Sequence, residues 1–299
     1  MDKLVDKLND FQLRHPLPGF VFAVIKKYGD DEAGRQAALL TYYAFLSLFP
    51  LILVLTTLTE LIPVSHTAVQ DSIIKGTTNY FPVLGDQLST HIRTLHKSGF
   101  ALAIGLLFTL YGARGVADAF QRSVQDFWGI PKARRAGFPK STLKSLSIIL
   151  VAGIGFVVAS VSIGLASAAS QGWQVRVLTI LINLLVWCGL FILLITLSLP
   201  RHVSFRETRA AAITAAVGLV IVQTLGGYLL SRELKNLDAL YSYFALALGL
   251  LFWIYLQIQV LFYALEIAAV KSQKLWPRSL TDKKPTAADR RLAAKLADA

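Results

Sequence analysis

LLTYYAFLSLFPLILVL, residues 39–55, holds no charged side chain, yet it carries Thr41, the adjacent Tyr42 and Tyr43, Ser47 and Pro50. A buried helix of a soluble domain and a membrane span would both fit this stretch. Its surroundings decide between them. The charge-free run continues from residue 38 to Glu60, and five more charge-poor runs follow at 99–113, 146–175, 177–200, 210–231 and 239–265. About 20 largely apolar residues suffice for a helix to cross roughly 30 Å of hydrocarbon. All six runs meet that length if the second continues past Arg114. None shows the short alternation of a membrane barrel strand. Only 16% of the 299 residues are charged, against about 25% in ordinary soluble domains. The expected fold is therefore all-α: a polytopic membrane protein with six transmembrane helices and amphipathic interfacial helices.

Charge placement sets the expected orientation. Of the 30 Lys and Arg residues, 24 fall in residues 1–37, 114–146, 201–209 and 271–299, which six spans put on one side. The positive-inside rule makes that side cytoplasmic, with both termini there. A bacterial inner (plasma) membrane is the expected location, and anionic lipid headgroups are the expected partners of the basic face. Orientation and lipid contact already account for the net charge of +12, so nucleic-acid binding is not favoured. No cleavable signal peptide is expected, because acidic residues interrupt the first 37 positions without an isolated apolar core.

Three segments follow: an amphipathic N-terminal segment (1–37), a six-span domain (38–270) and a basic tail (271–299). In the first, Leu17, Phe20, Val21, Val24, Ile25 and Tyr28 recur at helical spacing, and Lys26 and Lys27 mark a polar end. This pattern predicts a helix in the headgroup plane. Asp30 or Asp31 is placed to cap the next helix. The 63–98 connection is expected to hold a short helix carrying Leu84, Leu88, Ile92 and Leu95. The helix of the second span is expected to emerge and end near Trp128, before Gly129-Ile130-Pro131. Small residues in the third span (Gly153, Gly155, Ala159) and the fifth (Ala211, Ala212, Ala215, Ala216, Gly218, Gly226) predict close helix contacts. Residues 289–298 read as a short basic helix or as disordered chain.

Polar groups inside the spans are the candidate site residues. Pro50 lacks a backbone donor and is expected to bend or open its helix. Thr41, Tyr42, Tyr43 and Ser47 would then either line a cavity or make interhelical contacts. Glu266 follows a long apolar run and needs protein, water or a cation against it. Arg35 and Arg114 are its candidate partners, in either a structural ion pair or a transport site. Gln257 and Gln259 lie deeper and point apart, since two residues turn a helix by about 200°. Gln223, Thr224 or Asn183 could meet one of them, or each could be polar glue between helices. Arg114, Asp118, Arg122 and Asp126 are spaced for an i,i+4 charge ladder, each exposed pair adding about 0.2–0.5 kcal/mol. A gating role for Arg114 and Asp118 is the alternative. The lone Cys188 forms no internal disulfide and the histidines form no metal motif, so no catalytic residue, metal or cofactor is expected.

Three ordered segments carry a family resemblance: ALLTYYAFLSLFPLIL (38–53), YGARGVADAFQRSVQDFWGIPKARRAGF (111–138) and LFWIYLQIQVLFYALEIAAV (251–270). Together they resemble the YihY/BrkB family of bacterial inner-membrane proteins, once labelled ribonuclease BN. The likeness covers roughly residues 15–272. Where the family often has Gly-Ala-Glu near the last motif, this chain has Ala264-Leu265-Glu266. The resemblance implies six spans with cytoplasmic termini and links to serum resistance, envelope integrity and lipid or lipopolysaccharide export. The expected function is transport or export of a lipid or other envelope component. A non-transporting envelope scaffold is the alternative. A nuclease would need a metal or a base beside a phosphate site, and the chain offers no such pattern.

Overall fold

The computed structural model describes residues 9–61, 99–168, 173–200, 203–233, 242–280 and 285–297. Every regular element among them is helical. The principal helices are α1 (Pro16–Asp30), α2 (Ala33–Leu61), α3 (Gly99–Phe127), α4 (Lys140–Ala168), α5 (Trp173–Ser198), α6 (Phe205–Glu233), α7 (Ser242–Ser272) and α8 (Ala287–Ala297). Within the described residues, Ala103–Phe127, Lys140–Ala159, Val177–Ser198 and Ala247–Ser272 are long and apolar enough to cross a membrane. α2 and α6 have 29 residues each, or about 43 Å at 1.5 Å per residue, which is consistent with six spans. The connection at 62–98, with its expected helix, lies outside the described residues, as does most of the turn between α4 and α5.

The six long helices close into a ring. Each packs on the next from α2 to α7, and α7 packs back on α2. One apolar core, including Leu48, Phe120, Ile195 and Leu250, fills the contact between them. Much apolar surface faces outward, such as Leu107, Leu150, Leu185 and Phe252. Acyl chains are the solvent that accepts such a surface, since in lipid it is the polar backbone that must be enclosed.

Small residues let the ring close. Ala211, Ala212, Ala215 and Ala216 of α6 are buried, and a side chain at Gly226 would collide with the Trp253 ring. On α4, Gly155 admits Leu190, whereas Gly153 faces open space. Another close seam joins α2 and α3: a Cβ at Gly112 would lie 2.7 Å from Ser47 Cβ, and one at Gly115 would lie 2.6 Å from the Tyr43 ring. Two of the sequence motifs thus pack directly on each other. α2 stays α-helical from Ala33 to Leu61 with Pro50 inside it, so the backbone is not locally opened there.

Helix ends at one face of the ring are built with care. α3 stops where Gly129 takes φ 64°. Gly129 N–H donates to Asp126 and Ile130 N–H to Gln125, the paired bonds of a Schellman motif. α7 ends the same way, with Lys274 at φ 52° and Leu275 N–H donating to Val270. The starts of α2, α4 and α6 and the ends of α3, α5 and α7 therefore share this face with both terminal segments.

Candidate functional site

α1 begins at Pro16, where a missing N–H costs nothing. Its residues 20, 23, 24 and 27 share one helical face. Phe20, Ala23 and Val24 place that face against Ile267, Val270 and Leu275. The opposite stripe, Leu17, Val21 and Ile25, is exposed and apolar, which suits acyl chains. α1 runs antiparallel along α7, because Val24 meets Val270, Lys27 meets Glu266 and Tyr28 meets Tyr263 and Gln259. Its C-terminal half therefore packs along a span instead of lying wholly in the headgroup plane. Burial of Ala23 and Val24 and the ion pair below supply the reason.

Lys27 is the centre of this contact. Its side chain is 2% exposed and its Nζ lies 3.0 Å from Glu266 Oε2, whose residue is fully buried. The same ammonium donates to Asp31 Oδ2 and, at 3.0 Å, to the Phe127 carbonyl at the end of α3. Its Nζ also sits 5.9 Å from the centroid of the Phe127 ring. Burial pulls the Lys27 pKa down, but the Glu266 and Asp31 carboxylates more than reverse this, and the net direction is up. Burial pushes the Asp31 carboxyl up, with Lys27 opposing. Losing one partner of a buried ion pair typically costs about 3–5 kcal/mol, so α1 is locked to α7 as long as Lys27 is charged.

The candidate partners of Glu266 are thus replaced. Arg35 is 79% exposed and pairs with Glu32. Arg114 lies 3.7 Å from Asp118 and is 57% exposed. Both sit on water-facing or lipid-facing surfaces, away from the α1–α7 seam. Neither aspartate caps α2: Asp31 turns to Lys27, and Asp30 pairs with Arg278 at 2.6 Å. Glu32 makes the turn instead, at φ 50°, and its carbonyl accepts the Arg35 and Gln36 amides.

Other candidates scatter. Tyr42 is exposed and Tyr43 packs into the α2–α3 seam. Ser47 donates to the Ala44 carbonyl at 2.8 Å. Gln259 accepts from Tyr28. Gln257 is half-buried, and Gln223 Nε2 is buried without a hydrogen-bond partner among the described residues. The charge ladder holds only at its first rung, because Asp126 pairs with Arg135 at 2.6 Å, not with Arg122.

A second centre lies where α3 ends and α4 begins. A cavity of about 350 Å³ is bounded by Asp118, Gln121, Arg122, Gln125, Lys132, Arg135, Ala136 and Ser141. Arg135 shapes it by donating to Asp126 and to the Ile130 carbonyl, folding the 130–135 loop back on α3. Gln125 donates to the Ser198 carbonyl at 2.9 Å, and Ser145 donates to Asp118. Gln121 is 5% exposed and its Oε1 has no hydrogen-bond partner. Three cations against one carboxylate make the lining suited to an anion.

From Val24 onward these elements fall within residues 24–289, the part of the chain that matches the family model described as virulence factor BrkB. The chain belongs to the BrkB family. Among its relatives, a UPF0761 membrane protein of Psychrobacter sp. (strain PRwf-1) is 25% identical over 281 residues. That match covers 90% of this BrkB-family chain but 51% of the relative, so the chain spans about half its length. A protein of Bacillus subtilis (strain 168) named as ribonuclease-like, YfkH, is 25% identical over 89% of this chain and 98% of its own. A UPF0761 membrane protein of Chromohalobacter salexigens is 24% identical over 257 residues, 82% of this chain and 61% of that one. No solved structure matches.

The terminal clasp is what sequence reasoning missed. Arg278, 5% exposed, bridges Asp30 at 2.6 Å and Asp289 at 2.9 Å. Gln12 donates to the Arg278 carbonyl, Lys26 to the Ser279 carbonyl, and the Leu280 amide to Asn9. Thr286 caps α8, with Asp289 reaching back to the Thr286 amide. This Thr-x-x-Asp pattern was the available sequence signal for an α8 start. Burial opposes it, but bonds from the Ser279 amide, Arg278 and Thr286 hold the Asp289 carboxyl down at about 2.

Proposed function

We propose that this BrkB-family membrane protein binds an anionic lipid headgroup at the cytoplasmic leaflet and takes part in transport or export of a lipid or other envelope component. The positive-inside rule supports the orientation, since the sequence segments that six spans put on the cavity's side hold 24 of the 30 basic residues. The observation that carries the reading is the cavity itself. Arg122 and Lys132 line it together with Arg135, which Asp126 holds in place, and Phe138 and Leu143 are exposed beside it. Basic pockets next to apolar surface at this depth suit phosphate-bearing headgroups. In nanodiscs drawn from native membrane, one anionic lipid should be enriched over bulk by mass spectrometry. Arg122→Gln combined with Lys132→Gln should abolish the enrichment. Bulk lipid composition in the wild type would refute the reading.

A scaffold reading draws on the apolar filling of the ring, where Leu48, Phe120, Ile195 and Leu250 occupy the core. A protein copurifying at fixed stoichiometry, with bulk lipid only, would favour it.

A further inference from the structure

We propose that Lys27, Asp31 and Glu266 form a buried proton-binding site that takes up one proton per chain. This goes beyond lipid handling and does not depend on it. The starting point is a charge imbalance: two carboxyl groups share one ammonium in a pocket where Glu266 is fully buried and Lys27 is 2% exposed. Lys27 divides its three N–H donors among Asp31, the Phe127 carbonyl and the side that faces Glu266.

Among the described residues neither Glu266 oxygen has a well-aligned hydrogen bond, and the Lys27 ammonium 3.0 Å from Oε2 is its one charge partner. A fully buried carboxylate that shares its one cation with a second carboxylate is costly. The Asp31 and Glu266 carboxylates flank the same Lys27 ammonium. One proton on the pair brings the cluster from a charge of minus one to zero. The nearest analogue is two carboxyls at one site, which cannot both ionise cheaply.

Other charges around the cluster are engaged elsewhere. On α1 and the tail, Lys26 turns to the Ser279 carbonyl, and Asp30 pairs with Arg278. On α3, Asp126 pairs with Arg135. From α7 the near phenol is Tyr263, stacked on Tyr28. Among the described residues no second cation makes an ion pair with Asp31 or Glu266.

The route in is through Asp31, which is 13% exposed where Glu266 is sealed. A hydronium ion at the face gives its proton to the Asp31 carboxylate, leaving water. The proton then passes to the Glu266 oxygen, and Asp31 is again a carboxylate paired with Lys27. No electron moves and no bond other than O–H changes.

Infrared difference spectroscopy of the full chain in nanodiscs, stepped in pH, tests this. The chain has five glutamates, so 13C-labelling of glutamate separates them from the aspartates. The band of a buried protonated carboxyl should titrate with pH, shift with 13C-glutamate, and vanish in Glu266→Gln. Asp31→Asn should slow its exchange into D2O at least tenfold while the band survives. Should Glu266→Gln not fold, Glu266→Asp decides, because the band should then lose its sensitivity to 13C-glutamate. No titrating buried carboxyl band, a band insensitive to 13C-glutamate, or one that persists in folded Glu266→Gln or keeps its glutamate shift in Glu266→Asp would overturn the site. Unchanged exchange in Asp31→Asn would overturn the route.

Discussion

Replacing Arg278 by methionine should release the clasp without unfolding the ring. Methionine keeps much of the apolar stem of arginine and removes its charge. Breaking a buried pair by removing one partner costs about 3–5 kcal/mol, and two features of the site lower that figure. Asp30 is 37% exposed, so its carboxylate returns to water and that half of the bridge is worth only about 0–1 kcal/mol. Asp289, 12% exposed, still accepts the Ser279 and Thr286 amides. The net loss is about 2–3 kcal/mol, or about a 30- to 150-fold rise in local opening at 1.36 kcal/mol per tenfold. Hydrogen exchange with mass spectrometry reads this directly, because regional opening has its own free energy. Peptides covering 275–297 and 9–24 should exchange faster by that factor, and α5 should not change. Protection in the tail within about threefold of wild type would refute the clasp as a stabilising unit. A uniform loss that included α5 would refute its independence from the ring.

The clasp should also open in acid. Asp289 titrates at about 2 in the folded chain and at about 3.9 when unfolded. A depressed folded pKa gives stability that is complete above pH about 4 and is lost as pH falls toward 2. A spin-label pair across α1 and α8 should separate in that window, and in Asp289→Asn should already be apart at pH 6; a wild-type distance constant to pH 2 would contradict this. Two glycines should respond in opposite directions. At Gly112 a Cβ lies 2.7 Å from Ser47 Cβ and 3.1 Å from its Cα, well inside ordinary carbon contact of about 3.5–4.0 Å. Overpacking of about 1–3 kcal/mol then outweighs a helix-propensity gain of about 1 kcal/mol in Gly112→Ala. Gly153 has nothing within 4 Å, so Gly153→Ala retains the gain alone, and thermal unfolding should rank it above wild type and Gly112→Ala below. Lys27→Met should destabilise by about 3–5 kcal/mol and Lys27→Met with Glu266→Gln by less; an additive pair in a denaturation cycle would mean the two groups do not interact.

Helix positions were legible because charge-free runs of membrane length have one common reading. The end of α3 was legible too, since Gly129-Ile130-Pro131 announces a stop and Gly129 takes the left-handed conformation there. Partners were not. Lys27 reads as the polar end of an amphipathic stripe, yet positions 20, 23, 24 and 27 share a face, and burying that face carries the lysine inward. Nothing local marks which carboxylate it will meet 239 positions away at Glu266. Arg35 was a plausible partner by its position near a membrane face, but at i,i+3 from Glu32 it finds a nearer charge in its own helix turn. Long-range pairing depends on how α1 folds back along α7, and local spacing does not encode that angle.

The fold-back also explains why the two terminal segments belong together. α1 meets α7 through Lys27 and Glu266 at one end of its buried face and meets the tail through Phe20 and Trp276, whose rings cross edge-on at 5.9 Å, at the other. Between those ends, Ala23 and Val24 share one small apolar cluster with Val270, Leu275 and Leu292 of α8. The buried pair and the clasp therefore hold the same last turn of α1, with Lys27 three residues before Asp30. Lys274, held in the left-handed conformation, turns the chain directly from α7 into the segment that carries Arg278. Pairing at Glu266 and pairing at Arg278 thus anchor one end of one helix side by side, and loosening either should raise exchange along α1 more than along α5.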